Sequence, residues 1–211
     1  MTRAEREQQL LDVAEEVFAE RGVTGASMDD VATAAGITKP VLYDHFRSRD
    51  GLLAAGILRL RGQLHDAVAA TALQVGYDDG EAALRAGLRA FLGFIERRRS
   101  TWAALVTGAV LGPEAAREVE TSRRVQVELT AVLLRTLAPR ATELDVACCA
   151  EGINSAAEGV SVWWAEHTDI GADELADRLT ALLWPGVAAL RAAATRRSVG
   201  PASPHRSAAA G

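Results

Sequence analysis

The sequence of 211 residues has little cysteine, almost no lysine and few aromatic side chains. Its two cysteines, Cys148 and Cys149, are adjacent. Neighbours on one backbone rarely pair, and two thiols are too few for a disulfide framework or a zinc site. The chain therefore suits a reducing compartment. Long apolar runs are missing too. The longest uncharged stretch, residues 100–113, has 14 residues and includes Ser, Thr and Gly. A membrane-spanning helix needs roughly 20 apolar residues. Residues 1–16 are charged and lack the apolar centre of a secretion signal. These absences speak against secretion, membrane spanning and a disulfide scaffold, and the expected location is cytoplasmic. β-branched runs are scarce and aromatics make up 5% of the chain, which disfavours sheet.

Alanine, leucine, arginine and glutamate are plentiful, and all are strong helix formers. The expected class is all-α. A chain of this size buries roughly 70% of the surface it exposes when unfolded, enough for a core without metal or cofactor, and none is expected. The formal net charge is −5, and Lys39 is the only lysine among 23 basic residues. That balance excludes a wholesale nucleic-acid coat but not a local basic site.

Apolar spacing and helix-stop residues divide the chain into about nine helices. The first, residues 3–21, buries Leu10, Ala14, Val17 and Phe18, and Gly22 suits a left-handed cap. Ser27 opens a Ser-x-x-Asp capping box with Asp30 and starts a short helix over 27–35. Gly36 breaks the chain. Thr38 then caps a third short helix with Pro40 in its first turn and Leu42 and Phe46 facing inward. Longer helices follow over 50–74, 80–98, 101–111, 113–138, 142–167 and 172–195, with Pro185 expected to kink or interrupt the last. Residues 196–211 read as a disordered tail of net charge +3. The expected organisation is a three-helix head over 1–49, a larger helical part over 50–195, and that tail.

Two short helices around a Gly turn, preceded by a longer one, form a helix-turn-helix pattern. The second short helix is held by Leu42 and Phe46, so its other face is free to enter a major groove about 12 Å wide. That face carries Thr38, Lys39, Pro40, Val41, Tyr43 and His45. Lys39 suits guanine O6 or N7, and Pro40 and Val41 suit a thymine methyl. Thr38, Tyr43 and His45 suit phosphates, as do Ser27 before the turn and Arg47 and Arg49 beyond the helix. Residues 1–50 hold six basic and ten acidic side chains, which weighs against DNA. Between Gly36 and Arg49, however, three basic residues face one acid.

The run from Ser27 through Leu53, with Val31-Ala32-x-x-Ala35-Gly36-Ile37, Leu42-Tyr43-x-His45-Phe46 and Arg49-x-x-Leu52, closely resembles the DNA-binding domain of the tetracycline-repressor (TetR) family of transcriptional regulators. The similarity runs from about Ala14 to Leu53. It implies a homodimeric repressor with its recognition helix at 38–45 and DNA contacts at Ser27, Thr38, Lys39, Pro40, Tyr43, His45 and Arg49. Asp44 departs from the aromatic or basic residue more usual there, which leaves the target sequence open.

In the resembled family the remaining helices enclose a small-molecule inducer and supply the dimer contact. The sequence offers its own candidates. Gly152, Ser155, Ala156 and Gly159 form a small-residue stripe opposite an apolar one of Val146, Cys149, Ile153, Ala157, Val160 and Trp164. With Leu175, Leu179, Leu182 and Gly186 of the last helix, the small stripe suits a four-helix contact between two copies. His65, Phe91, Phe94, Trp102 and Trp163 are candidates to line a ligand cavity. Arg97-Arg98-Arg99 at a helix end reads as a complement to the helix dipole, and both cysteines read as buried small apolar residues. No serine elbow, Cys/His pair, zinc-binding His-Glu-x-x-His, phosphate loop or dinucleotide fingerprint occurs, so no catalytic residue is assigned. Two alternatives remain open from the residues: a helical protein–protein adaptor, and an enzyme of unrecognised type.

Overall fold

The computed structural model describes residues 2–75, 79–99, 102 and 112–197. Among the described residues there are eight helices and no strand: α1 (Arg3–Gly25), α2 (Met28–Ala34), α3 (Lys39–Phe46), α4 (Arg49–Val75), α5 (Gly80–Glu96), α6 (Pro113–Leu137), α7 (Glu143–Trp164) and α8 (Ala172–Arg197). The all-α class is as expected. The helix anticipated over 101–111 lies outside the described residues except for Trp102, and so does the tail from 198 onward. Residues 196 and 197 belong to α8 instead.

The head forms because each short helix has a start and a stop. Thr2 caps α1 in a reciprocal box with Glu5. Gly22 breaks α1 at φ 74°, as the glycine suggested, but one further turn to Gly25 follows and buries Val23. The Ser27–Asp30 box is present and starts α2. Gly36 takes φ 65°, a left-handed angle that glycine adopts without strain, and so turns the chain from α2 into α3. Leu10, Ala14, Val17 and Phe18 of α1, Val31 of α2, and Leu42 and Phe46 of α3 close one small core, continuous with Leu52, Leu53 and Ile57 of α4. Losing a residue such as Leu42, which is completely buried, would cost about 2–5 kcal/mol as alanine.

The α4 helix runs without interruption from the head into the larger part, where it packs against α5 and α6. The α8 helix lies along α5, and α6 lies against α7. Pro185 does not interrupt α8, whose helical bonding continues to Arg197. A second apolar cluster joins Leu134 of α6, Val146 and Ile153 of α7, and Val187 of α8. Among the described residues no helix is long and apolar enough to cross a membrane.

Candidate nucleic-acid interface and ligand cavity

The outward face of α3 begins at Thr38, which occupies the cap position but makes no side-chain cap bond, leaving its hydroxyl unused. Lys39, Pro40, Val41 and Tyr43 follow on the exposed side, with Val41 43% and Tyr43 39% exposed. Two large apolar or aromatic groups are thus left open beside a cation, the kinds of side chain that can contact base edges and sugar–phosphate. Ser27 and Arg47 are also exposed and flank this face. Arg47 ends α3 at φ 63°, its N–H donating to the Tyr43 carbonyl at 2.7 Å. The Lys39 ammonium rests on Asp29 of α2 at 2.9 Å, and that contact raises its pKa. Asp29 therefore competes with a nucleic acid for Lys39.

Two expected DNA contacts are turned to other work. His45 has a side chain only 11% exposed, and its Nδ1 meets Glu7 Oε1 of α1 at 3.2 Å. That hydrogen bond is the main cause holding the Glu7 carboxyl below its ordinary pKa, with burial opposing and Arg3 adding to the effect. Arg49 points back from α4, donating from Nε to the Ala26 carbonyl at 3.2 Å and from Nη2 to the Val23 carbonyl. His45 and Arg49 hold the head together rather than present themselves outward. Asp44 is exposed, and its carbonyl and carboxylate receive Arg3 from the start of α1.

Much of the acidity of the head is answered by cations of the same chain, some of them beyond the head. Asp30 binds Arg21 and Ser27, and the Ser27 hydrogen bonds are the main cause lowering its pKa. Asp12 and Glu15 bind Arg59 of α4, and Glu15 also takes Arg98 at 2.9 Å. Arg98 and Arg99, just past the end of α5, thus also clamp separate elements together. Arg98 lies over the Phe94 ring at 4.3 Å, and Arg99 lies over Trp164 at 3.9 Å while donating to the Ile170 carbonyl.

A cavity of about 670 Å³, partly open to solvent, lies between α4, α5, α6 and α7. Its apolar wall includes Leu64, Val68, Leu84, Leu88, Phe91 and Ile153. Its polar groups are Arg61, His65, Gln126, Thr130, Asn154 and Glu158. Arg61 is 5% exposed and meets Glu158 at 3.3 Å. Burial works against the Arg61 charge and Glu158 supports it. Burial, with the nearby Arg61 cation second, lowers the His65 pKa, which favours its neutral imidazole. A second hollow between α1 and α4, lined by Leu11, Phe18 and Leu60, is about half that size at 350 Å³.

Of the five expected cavity residues, His65 and Phe91 line it. Trp102 stands one layer behind, edge-on to Phe91 at 5.7 Å, its indole N–H donating to Ser161 Oγ at 2.8 Å. Phe94 is buried away from the cavity beneath Arg98. Trp163 is 48% exposed and stacks on His167, while its neighbour Trp164 is the buried one. The polar residues Arg61, Gln126, Asn154 and Glu158 were missed. Nothing in their local spacing distinguishes them from helix-surface groups until α4, α6 and α7 are brought together.

Of the expected dimer residues, Gly152, Ser155, Gly159 and Gly186 are exposed, Ala156 is half-buried, and Leu182 is 70% exposed. Leu175 and Leu179 are instead buried in the chain's own core and are not available to a partner. Cys149 is half-buried, with burial raising its thiol pKa, but Cys148 is exposed, contrary to expectation.

Residues 10–55 match the model of bacterial regulatory proteins of the tetR family, and residues 81–186 match the tetracyclin repressor-like C-terminal domain. The chain is 44% identical over 96 residues to the HTH-type transcriptional activator FasR of Mycolicibacterium smegmatis, a match covering 46% of this chain and 43% of that protein. It is 43% identical over 61 residues to the HTH-type transcriptional repressor KstR2 of Rhodococcus jostii, covering 29% of this chain and 28% of the relative. These matches thus span less than half the length of either curated relative. A solved TetR-like transcriptional regulator from Rhodococcus sp. RHA1 is 37% identical, with a TM-score of 0.66, and covers 89% of this chain and 98% of that one. A tetR-family regulator from Streptomyces coelicolor is 25% identical with a TM-score of 0.75 over 94% of this chain and 90% of that one. With both parts of the family matched in order, and a structural relative covered over nearly its whole length at this identity, the chain belongs to the TetR family of transcriptional regulators.

Proposed function

We propose that this chain is a cytoplasmic, homodimeric repressor that reads a two-fold-symmetric DNA operator and releases it when a small molecule fills the cavity beside Arg61. Residues 1–49 act as the reading head and 50–195 as the ligand-binding and dimerising part. Thr38, Lys39, Pro40, Val41 and Tyr43 enter the major groove, with Ser27 and Arg47 on the flanking phosphates. The exposed small-residue stripe of α7, beside Leu182 and Gly186 of α8, meets its copy across the two-fold axis.

One observation carries this reading: α4 is a single helix whose first turn ties into the head through Arg49 and whose middle turns supply Arg61, Leu64 and His65 to the cavity wall. A ligand that shifts α4 moves the head with it. Two heads fit one face of a duplex only when about 34–36 Å apart, so a small tilt is enough to spoil the fit. A tenfold to hundredfold change in operator affinity needs a differential binding energy of only about 1.4–2.8 kcal/mol.

The test is selection of bound duplexes from a random pool by the purified full chain. A two-fold consensus with half-sites one duplex turn or a multiple apart is expected. An asymmetric consensus, or none, refutes the proposal. The selected site placed across a reporter promoter then decides the sign. Lower output assigns the chain to repressors, like the Rhodococcus jostii relative, and higher output assigns it to activators, like the mycobacterial one.

A further inference from the structure

The polar groups of the cavity differ in what they have left to offer. Arg61 and Glu158 pair with each other, so the two charges in the wall cancel. Arg61 also lies over the Trp102 ring, 5.4 Å from its centroid, which covers one face of the guanidinium. An anion entering the cavity would meet the Glu158 carboxylate beside Arg61, and with that pair already formed the guanidinium offers it donors but no net positive charge. A cation faces the mirror-image difficulty at Glu158. His65, whose neutral form burial favours, adds no fixed charge to tip the balance.

The uncharged groups are not equally free. Both N–H groups of the Asn154 amide are engaged, one on Thr130 Oγ1 at 2.9 Å and the other on the Ala150 carbonyl at 2.8 Å. The Thr130 hydroxyl donates to the Gln126 main-chain carbonyl at 3.0 Å. Gln126 differs. Its Oε1 is buried with no hydrogen-bond partner, and its side-chain amide makes no hydrogen bond to any described residue. A buried carbonyl oxygen without a partner is costly, and native proteins rarely leave one so unless something else meets it.

We infer that the cavity takes an uncharged, largely apolar ligand whose head group both donates and accepts a hydrogen bond, such as a hydroxyl or amide, and that the Gln126 side chain is what receives it. This rests on the cavity being the ligand site proposed above. The head docks on α6 while the apolar body lies along Leu64, Leu88 and Phe91. The ligand thereby bridges α6 to α4, which carries the head.

The experiment uses three probe series on the full chain: para-alkylphenols, the matching para-alkylanisoles and the matching para-alkylbenzoates, with alkyl groups from propyl to heptyl. The phenol donates and accepts, the anisole has lost the donor, and the benzoate carries a charge. Calorimetric titration should show the best phenol binding at least about tenfold tighter than the anisole and benzoate of the same length, the order expected when a built polar site meets an analogue lacking its group. Gln126→Leu should reduce phenol binding to the anisole level and leave anisole binding unchanged. The wild-type comparison stands even if that variant folds poorly. Equal phenol and anisole affinities, or a preference for benzoate, overturn the inference while leaving the cavity as a ligand site. Failure of all three series to bind overturns both.

Discussion

The junction between α4 and α6 offers the sharpest perturbation. Asp50, in the first turn of α4, accepts a hydrogen bond from the Glu114 N–H at 2.9 Å and so caps α6 from another helix. Gly112 sits against it. A Cβ built there would lie about 2.5 Å from both Asp50 carboxylate oxygens, a spacing that real Cβ atoms do not tolerate. The Gly112 backbone, at φ −67° and ψ 174°, suits alanine, so the obstacle is the neighbour and not the conformation. Removing the cap with Asp50→Ala should cost about 0.5–2 kcal/mol. Gly112→Ala should cost about 1–3 kcal/mol through overpacking, and it also pushes the carboxylate off its N–H. Once Asp50 is alanine, the carboxylate is gone and the cap is already lost. Gly112→Ala then costs only its own weaker capping, about 0.5–1 kcal/mol. The double variant should therefore be more stable than the sum of the single losses by about 1–2 kcal/mol. Urea unfolding of the four proteins at one concentration measures this. Each kcal/mol moves Tm by about 2–4 °C in a chain of this size, so thermal midpoints give an independent reading. If the losses add within about 0.5 kcal/mol, as distant sites do, the carboxylate is not what fills the space beside Gly112 and the junction is wrongly described.

Other perturbations address separate links. Lys39→Ala should weaken binding to the selected site by about 1–3 kcal/mol and relax one base position, whereas Asp29→Asn, which frees Lys39, should strengthen it by up to about fivefold in polarisation titrations. A loss of affinity in Asp29→Asn would mean that Asp29 orients the lysine rather than restraining it. Tyr43→Ala should lower affinity without altering the selected consensus, and an altered consensus would reassign its hydroxyl from phosphate to base. Ser161→Ala strands the buried Trp102 N–H and should cost about 1–3 kcal/mol in denaturant unfolding, and no change would show that another acceptor replaces Oγ. The lowered Glu7 pKa contributes stability that is present above the ordinary value of 4.5 and is lost as pH falls through the lowered value. Glu7→Gln should therefore reduce stability at neutral pH and flatten the fall in unfolding midpoint on the acid side. An unchanged acid limb would remove Glu7 from that account.

The head was legible because its signals are local. A capping box, a Gly turn and an i, i+4 inward pair each lie within a few residues, and Ser27–Asp30, Gly36 and Leu42–Phe46 behave as their spacing implies. The misreadings occur where a partner comes from far along the chain. His45 sits at the border of the inward face of α3, and what settles its direction is Glu7, 38 positions earlier. Arg49 follows the reading helix as a phosphate contact would, yet its long side chain reaches back to carbonyls at 23 and 26. Leu175 and Leu179 share a helical face, and periodicity alone does not distinguish a chain's own core from a partner's. The excess of acids in residues 1–50 overstates the charge of the head for the same reason, since Arg59 and Arg98, which answer Asp12 and Glu15, lie outside that window.

These long-range pairs also bear on how the head responds to the larger part. Besides the continuity of α4, two polar contacts among the described residues tie the head and the first turn of α4 to α6 and to the end of α5. One is Asp50 on the α6 N-terminus, and the other is Glu15 between Arg59 of α4 and Arg98 just past α5. Each is partly exposed, so each contributes on the order of 1 kcal/mol. That is the scale of the coupling energy needed for a tenfold change in operator affinity. A joint stabilised by many kcal/mol would hold the head rigid against any ligand, and one worth nothing would leave it indifferent to the cavity. In the proposed mechanism, a ligand that draws α6 toward α4 at Gln126 changes the distance between Asp50 and the α6 N-terminus first, because both lie on the two helices that the ligand bridges. The Asp50–Glu114 contact is thus the joint whose loss should uncouple ligand from DNA. Asp50→Ala should leave the probe affinity and the operator affinity each within about threefold of wild type, while the shift that one produces in the other falls toward unity. If the shift persists undiminished in Asp50→Ala, coupling runs through α4 and the Glu15 cluster alone.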